Sequence, residues 1–167
     1  MNQDHTRGVE STAAIAGHPI HPMLVPFPIT LLISALVTDL VHLATGDPSW
    51  ATFSFWLIAA GLVTGLAAGV AGAIDFFTLQ RPREHTYGWI HAVGNVLAIL
   101  LALSNVVLRL ANPALTGSLL ASGLILSAIT AGVLVITGWY GGELAYRDMI
   151  GVTGHQGGGG SDYGPKS

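Results

Sequence analysis

Four long apolar stretches separated by short polar breaks dominate the chain. Leu24–Leu43, Phe53–Phe77 and Trp89–Leu108 are nearly free of charge, and nothing between Arg109 and Glu143 is charged. About 20 apolar residues suffice to cross the hydrocarbon core of a bilayer as a helix. A soluble helix bundle would carry a polar face on each helix, and these stretches have almost none. The pattern therefore predicts four membrane spans. Gly46-Asp47-Pro48, Arg81-Pro82-Arg83 and Asn112-Pro113 supply the turn residues between them. Links this short favour antiparallel neighbours, so the expected fold is all-α, an integral membrane four-helix bundle running up-down-up-down.

Composition agrees with this reading. The chain is 51% hydrophobic and 9% charged, against about 25% charged residues in an ordinary soluble domain. Its 167 residues leave room for one membrane domain. The expected division is an N-terminal segment 1–22, a transmembrane domain 23–142, and a flexible tail 143–167 that contains Gly157–Gly160. A net charge of -3 with six Lys+Arg argues against a nucleic-acid surface. The absence of cysteine excludes disulfides, thiolate metal sites and iron–sulfur ligation by this chain alone.

Charge also predicts orientation. With four spans, both termini share a side with the loop Thr78–Gly88, and that side holds Arg7, Arg81, Arg83, Arg147 and Lys166. The opposite side holds Arg109. The positive-inside rule then predicts a multi-pass cell-membrane protein with both termini cytoplasmic. Trp50, Trp56, Trp89, Trp139 and Tyr140 fall near span ends, where amphipathic rings favour the interface.

Small residues predict the packing. Gly61, Gly65, Ala68, Gly69, Gly72 and Asp75 fall on one face of the second span, and Gly123, Ser127, Thr130, Thr137 and Gly141 on one face of the fourth. Such stripes let helix backbones approach closely where lipid offers no hydrophobic driving force. Thr30, Ser34 and Thr38 repeat at i, i+4 on the first span.

Ionisable groups inside spans are expensive and are functional candidates by default. They fall into two layers. Asp39, His42 and Arg109 lie at one level, where an Asp39–Arg109 ion pair would neutralise both charges. His18, His21, Asp75, His91 and Glu143 lie at the other, on the side of the termini. His91 and Asn95 are spaced i, i+4. His18 and His21 each precede proline, which favours an extended backbone with both imidazoles facing one way. Pro26 and Pro28 suit the first turn of the following helix. The expectation is that His21, Asp75 and His91 converge, with His18 and Glu143 at the edge.

At these residues the chain resembles a bacterial four-helix integral membrane domain-of-unknown-function family, the one numbered two-two-three-one. The resemblance rests on GHPIHPMLVPFP with its HPxHP signature, TGDPSWATFSFWLIAAGL, AIDFF around Asp75, His91 with Asn95, and TGWYGGELAYR with its GGEL signature. It implies a four-helix membrane protein, sometimes joined to a Rieske-type iron–sulfur domain, and brings no established reaction. The family pattern has histidine followed by GVGV after GGEL-x-YR, whereas this chain has Asp148-Met149-Ile150-Gly151-Val152.

Three functions are consistent with the residues. One is a redox-associated subunit, linked to haem or quinone, with His91 and either His21 or His18 as axial ligands of haem b. Another is a divalent metal or proton site formed from His18, His21, Asp75, His91 and Glu143. The third is a non-catalytic anchor or assembly module. The partners implied are the lipid bilayer and Rieske-type or other redox proteins. No Ser–His–Asp arrangement or nucleophile elbow marks a hydrolase.

Overall fold

The computed structural model describes residues 8–112 and 118–151. A two-stranded hairpin comes first, β1 (Ala14–Ile15) antiparallel to β2 (His18–Pro19). Its turn residues Ala16 and Gly17 both have positive φ, 51° and 78°, as a two-residue hairpin loop of right-handed twist requires. The helices are α1 (Ile20–Leu24), α2 (Pro26–Thr45), α3 (Pro48–Thr78), α4 (Arg81–Glu84), α5 (Thr86–Ala111) and α6 (Ser118–Tyr146). Four of the helical stretches are long and apolar enough to span a membrane: Ile20–Thr45, Pro48–Thr78, Thr86–Ala111 and Leu120–Tyr146.

Local chemistry sets the boundaries. Pro26 and Pro28 open α2, where a missing N–H costs little. Gly46 ends it in the left-handed conformation at φ 70°. Asp47 caps α3 by accepting from the Ser49 backbone N–H at 2.9 Å. The Ser49 backbone and side chain together hold the Asp47 carboxyl below its ordinary range. The Arg81-Pro82-Arg83 break is a single helical turn, α4. It lies close against α5, where the Pro82 carbonyl oxygen fills the space that a Cβ at Gly88 would need.

Each long helix packs against its sequence neighbour, and α6 closes the bundle on α2. This is the up-down-up-down arrangement. The apolar centre comprises Leu32 and Ala35 from α2, Ile58 from α3, Ala98 and Ala102 from α5, and Leu134 from α6. Val37, Val63, Val70, Val107, Ile125 and Val135 face outward and are exposed, as a lipid-facing surface demands.

Two expectations need revision. His18 and His21 do not share an extended backbone, because only His18–Pro19 is extended and His21 lies in α1. The His21 carbonyl accepts from the Val25 N–H at 3.1 Å, so tertiary and helical bonds override the pre-proline preference. The segment after residue 143 is not simply a tail. Helix α6 continues to Tyr146, and the chain beyond it pairs with the N-terminal strap, Val9 N–H donating to the Met149 carbonyl and Gly151 N–H to the Val9 carbonyl. On α2, Thr30 is exposed, and the Thr38 hydroxyl donates to the Ala35 carbonyl of its own helix, as hydroxyls in membrane helices can. Pro113 and Gly157–Gly160 lie outside the described residues.

The glycine stripe on α3 is where neighbouring side chains press onto its backbone. A Cβ at Gly61 would lie 2.7 Å from Leu32 Cγ, whereas one at Gly65 would meet Pro28 Cβ at an ordinary 3.5 Å. Gly61→Ala should therefore be less stable than Gly65→Ala by about 1–3 kcal/mol, the usual range for overpacking. Helix propensity cancels between the two, so thermal unfolding of the detergent-purified variants measures the difference directly. Equal stabilities would show that α2 and α3 do not meet at Gly61.

Candidate functional site

Two imidazoles meet at the end of the bundle that holds the termini. His21 arrives on α1 and His91 on the first turns of α5, and their ring centres lie 5.9 Å apart with planes at 90°. His21 Nδ1 is 2.8 Å from the Ala68 carbonyl oxygen of α3. His91 Nδ1 is 2.9 Å from the Thr137 carbonyl oxygen of α6. A carbonyl only accepts, so both Nδ1 atoms carry a proton, and in the neutral ring each Nε2 carries the lone pair. Neither Nε2 has a hydrogen-bond partner among the described residues. Those residues contain no buried side-chain nitrogen or oxygen without a partner, so both Nε2 atoms keep accessible surface.

Glycines make room for both rings. A Cβ at Gly72 would lie 2.7 Å from His21 Nδ1, and one at Gly141 would lie 2.8 Å from His91 Cε1. The stripes on α3 and α6 thus do more than pack helices: at these positions each leaves space for an imidazole. Beside His21 is a small cavity of about 50 Å³ whose lining includes Asn95, Gly65, Gly69 and Ile99. Asn95 points one amide hydrogen back to the His91 carbonyl at 2.7 Å.

The other candidates at this level go elsewhere. Asp75 accepts from the Ser11 hydroxyl at 2.6 Å and from the Ala13 N–H at 2.8 Å. It anchors the N-terminal strap over the end of α3, and the Thr78 hydroxyl adds a bond to Thr12 at 2.9 Å. Glu143 pairs with Arg147 at 2.9 Å on the exposed rim, where an ion pair contributes little. His18 is exposed and bonds the Ala16 carbonyl. Among the described residues no three His, Cys, Asp or Glu side chains come together as a metal-holding group. The expected convergence of His21, Asp75 and His91, with His18 and Glu143 at its edge, thus reduces to the His21–His91 pair.

The opposite layer is a closed network. Arg109 Nη2 donates to both Asp39 oxygens at 2.8 and 2.7 Å, and its Nε donates to Asn105 Oδ1 at 2.9 Å. Ser127 donates to Asp39 at 2.6 Å, and Asn105 donates to Ser127 and to the Gly123 carbonyl. Asp39 is 1% exposed and Arg109 5%, so the pair is buried between α2, α5 and α6 rather than spread at the interface. His42 takes no part and bonds the Asp47 carbonyl.

Sequence reasoning missed two groups. Asn105 is one turn before Arg109 inside an apolar span, a spacing that marks a helical partner. Asp148 receives the Tyr87 hydroxyl at 2.5 Å with His85 Nε2 at 3.8 Å. Arg81 donates to the Asp148 carbonyl. These contacts tie the end of the described chain to the α4–α5 corner.

The chain belongs to the DUF2231 family of predicted membrane proteins, which it matches over residues 17–154. No curated protein and no solved structure matches it.

Breaking the buried pair should be severe. Arg109→Ala leaves an unpaired carboxylate in the bundle, and removing one partner of a buried ion pair costs about 3–5 kcal/mol. Asp39→Ala should cost a similar amount. The double variant should lose less than the sum of the two, and an additive result in unfolding measurements would contradict the network.

Proposed function

We propose that the chain is an integral membrane protein whose working element is the His21–His91 pair, a site that accepts a small electrophile, a proton or a metal ion. The observation behind this reading is the tautomer. Each ring gives its Nδ1–H to a helix carbonyl and keeps an unbonded Nε2. That is the arrangement of ligating histidines, whose second nitrogen is oriented and made more basic by a carbonyl partner. A purely structural histidine pair would be expected to spend both nitrogens on the protein.

The residues do not fit haem b. The rings meet at 5.9 Å, and the neighbouring cavity holds about 50 Å³ and does not include His91. Sites for flat organic ligands run to about 300–1,000 Å³. The same volume argues against a bound quinone ring. Association with redox chemistry is then supported through the metal affinity of imidazole, which suits copper, iron, nickel and zinc. A Rieske-type or other redox partner would act at the face that holds the termini, because the imidazoles lie at that end.

Orientation belongs to the same reading. Arg81, Arg83 and Arg147 lie on the side of the termini and Arg109 on the other, and this Lys/Arg asymmetry favours cytoplasmic termini. The pair then opens toward the cytoplasm. Reporter fusions after Gly160 should give a cytoplasmic signal, and fusions in the loop at Asp47 an external one. The reverse pattern would overturn this orientation.

Diethyl pyrocarbonate, which acylates unprotonated imidazole nitrogen, tests the site itself. In the folded protein at neutral pH, peptide mass spectrometry should find both His21 and His91 labelled. Protection of both, with exposed His18 labelled as the control, would leave an anchor or assembly role as the better description.

A further inference from the structure

The donor set at the pair narrows the kind of ion it can hold. Its ligands are two neutral nitrogens, and the nearby acids are committed: Asp75 to Ser11 and Ala13, and Glu143 to Arg147. No third His, Cys, Asp or Glu joins them among the described residues. A divalent ion such as zinc takes about four ligands. It would also bring two uncompensated charges into the end of a membrane bundle, where charge is expensive. A monovalent d10 ion needs less. It is content with two ligands on a near-linear axis and brings a single charge.

The spacing agrees. With a metal–nitrogen bond of about 2.0 Å and about 1.1 Å from Nε2 to the ring centre, an ion shared on a near-linear axis puts the centres about 6 Å apart. The observed separation is 5.9 Å. Planes at 90° are compatible with that axis, because each ring rotates freely about its own metal–nitrogen bond. Of the ions that imidazole suits, copper has a stable monovalent state.

We infer that His21 and His91 bind one copper(I) ion through their two Nε2 atoms. This rests on the reading of the pair as an open imidazole site and names its ligand. The Ala68 and Thr137 carbonyls fix both rings for the purpose, and Gly72 and Gly141 are positioning residues. A methyl at either glycine would push a ring off its carbonyl while leaving both ligands in the chain.

The test uses the full chain in detergent, titrated anaerobically with copper(I) against a chromophoric chelator. The expected result is one copper(I) per chain, displaced by silver(I), with X-ray absorption showing two nitrogen ligands. His21→Ala and His91→Ala should each abolish stoichiometric binding. Gly141→Ala should retain the stoichiometry but bind about 10–100-fold more weakly, as expected when the support behind a metal ligand is disturbed. On the wild-type protein, needing no variant, copper(I) should block diethyl pyrocarbonate labelling of His21 and His91 and leave His18 labelled. Unbound copper with both histidines still labelled would overturn the copper inference and leave the open site standing. Binding that survives both histidine substitutions, or tighter 1:1 binding of zinc(II) than of copper(I), would also overturn it. Absence of labelling without metal would remove the site itself.

Discussion

In a bilayer, helices gain nothing by hiding apolar side chains from lipid, and a polar group left unpaired finds no water. Every feature of this bundle answers those two constraints. The helices come together on residues too small to hold them apart, and Gly61 against Leu32 is the tightest such approach on the α2–α3 seam. The apolar side chains point mainly outward. The polar side chains turn inward, where each needs a partner.

The two polar layers meet that need in different ways. Around Asp39 and Arg109, three helices contribute to a network in which carboxylate, guanidinium, amide and hydroxyl satisfy one another. Such a network fixes register and has little left to offer a ligand. At the other end each imidazole is half satisfied. The bond at Nδ1 holds the ring, and the lone pair at Nε2 stays available. The glycines that permit helix contact on α3 and α6 also provide the space in which these rings sit. Structure and candidate chemistry therefore draw on the same residues.

Much of this was legible in the sequence. Span number and connectivity follow from uninterrupted apolar length and from turn residues with strong local preferences. The two polar levels could be read from depth, because an ionisable residue stands out in an apolar run. Partner choice was legible where opposite charges share a level, as for Asp39 and Arg109, and not at the other layer. Depth brought Asp75 toward His21 and His91, but a carboxylate takes the nearest strong donors, and the Ser11 hydroxyl and Ala13 N–H come from a polar strap with no periodic signal. His21 ran against its local pre-proline preference because a carbonyl on α3 and the space over Gly72 hold it in place. Ala16-Gly17 was the one local sign that the strap doubles back.

The account depends on both rings carrying the proton on Nδ1 while their centres lie 5.9 Å apart, one on α1 and the other on α5. Solid-state NMR of ¹⁵N-histidine-labelled protein in lipid bilayers reads that directly. It should give, for both His21 and His91, a protonated Nδ1 and an unprotonated Nε2, with a through-space correlation between the two side chains. A proton on Nε2 of either ring, or no correlation between them, would contradict it.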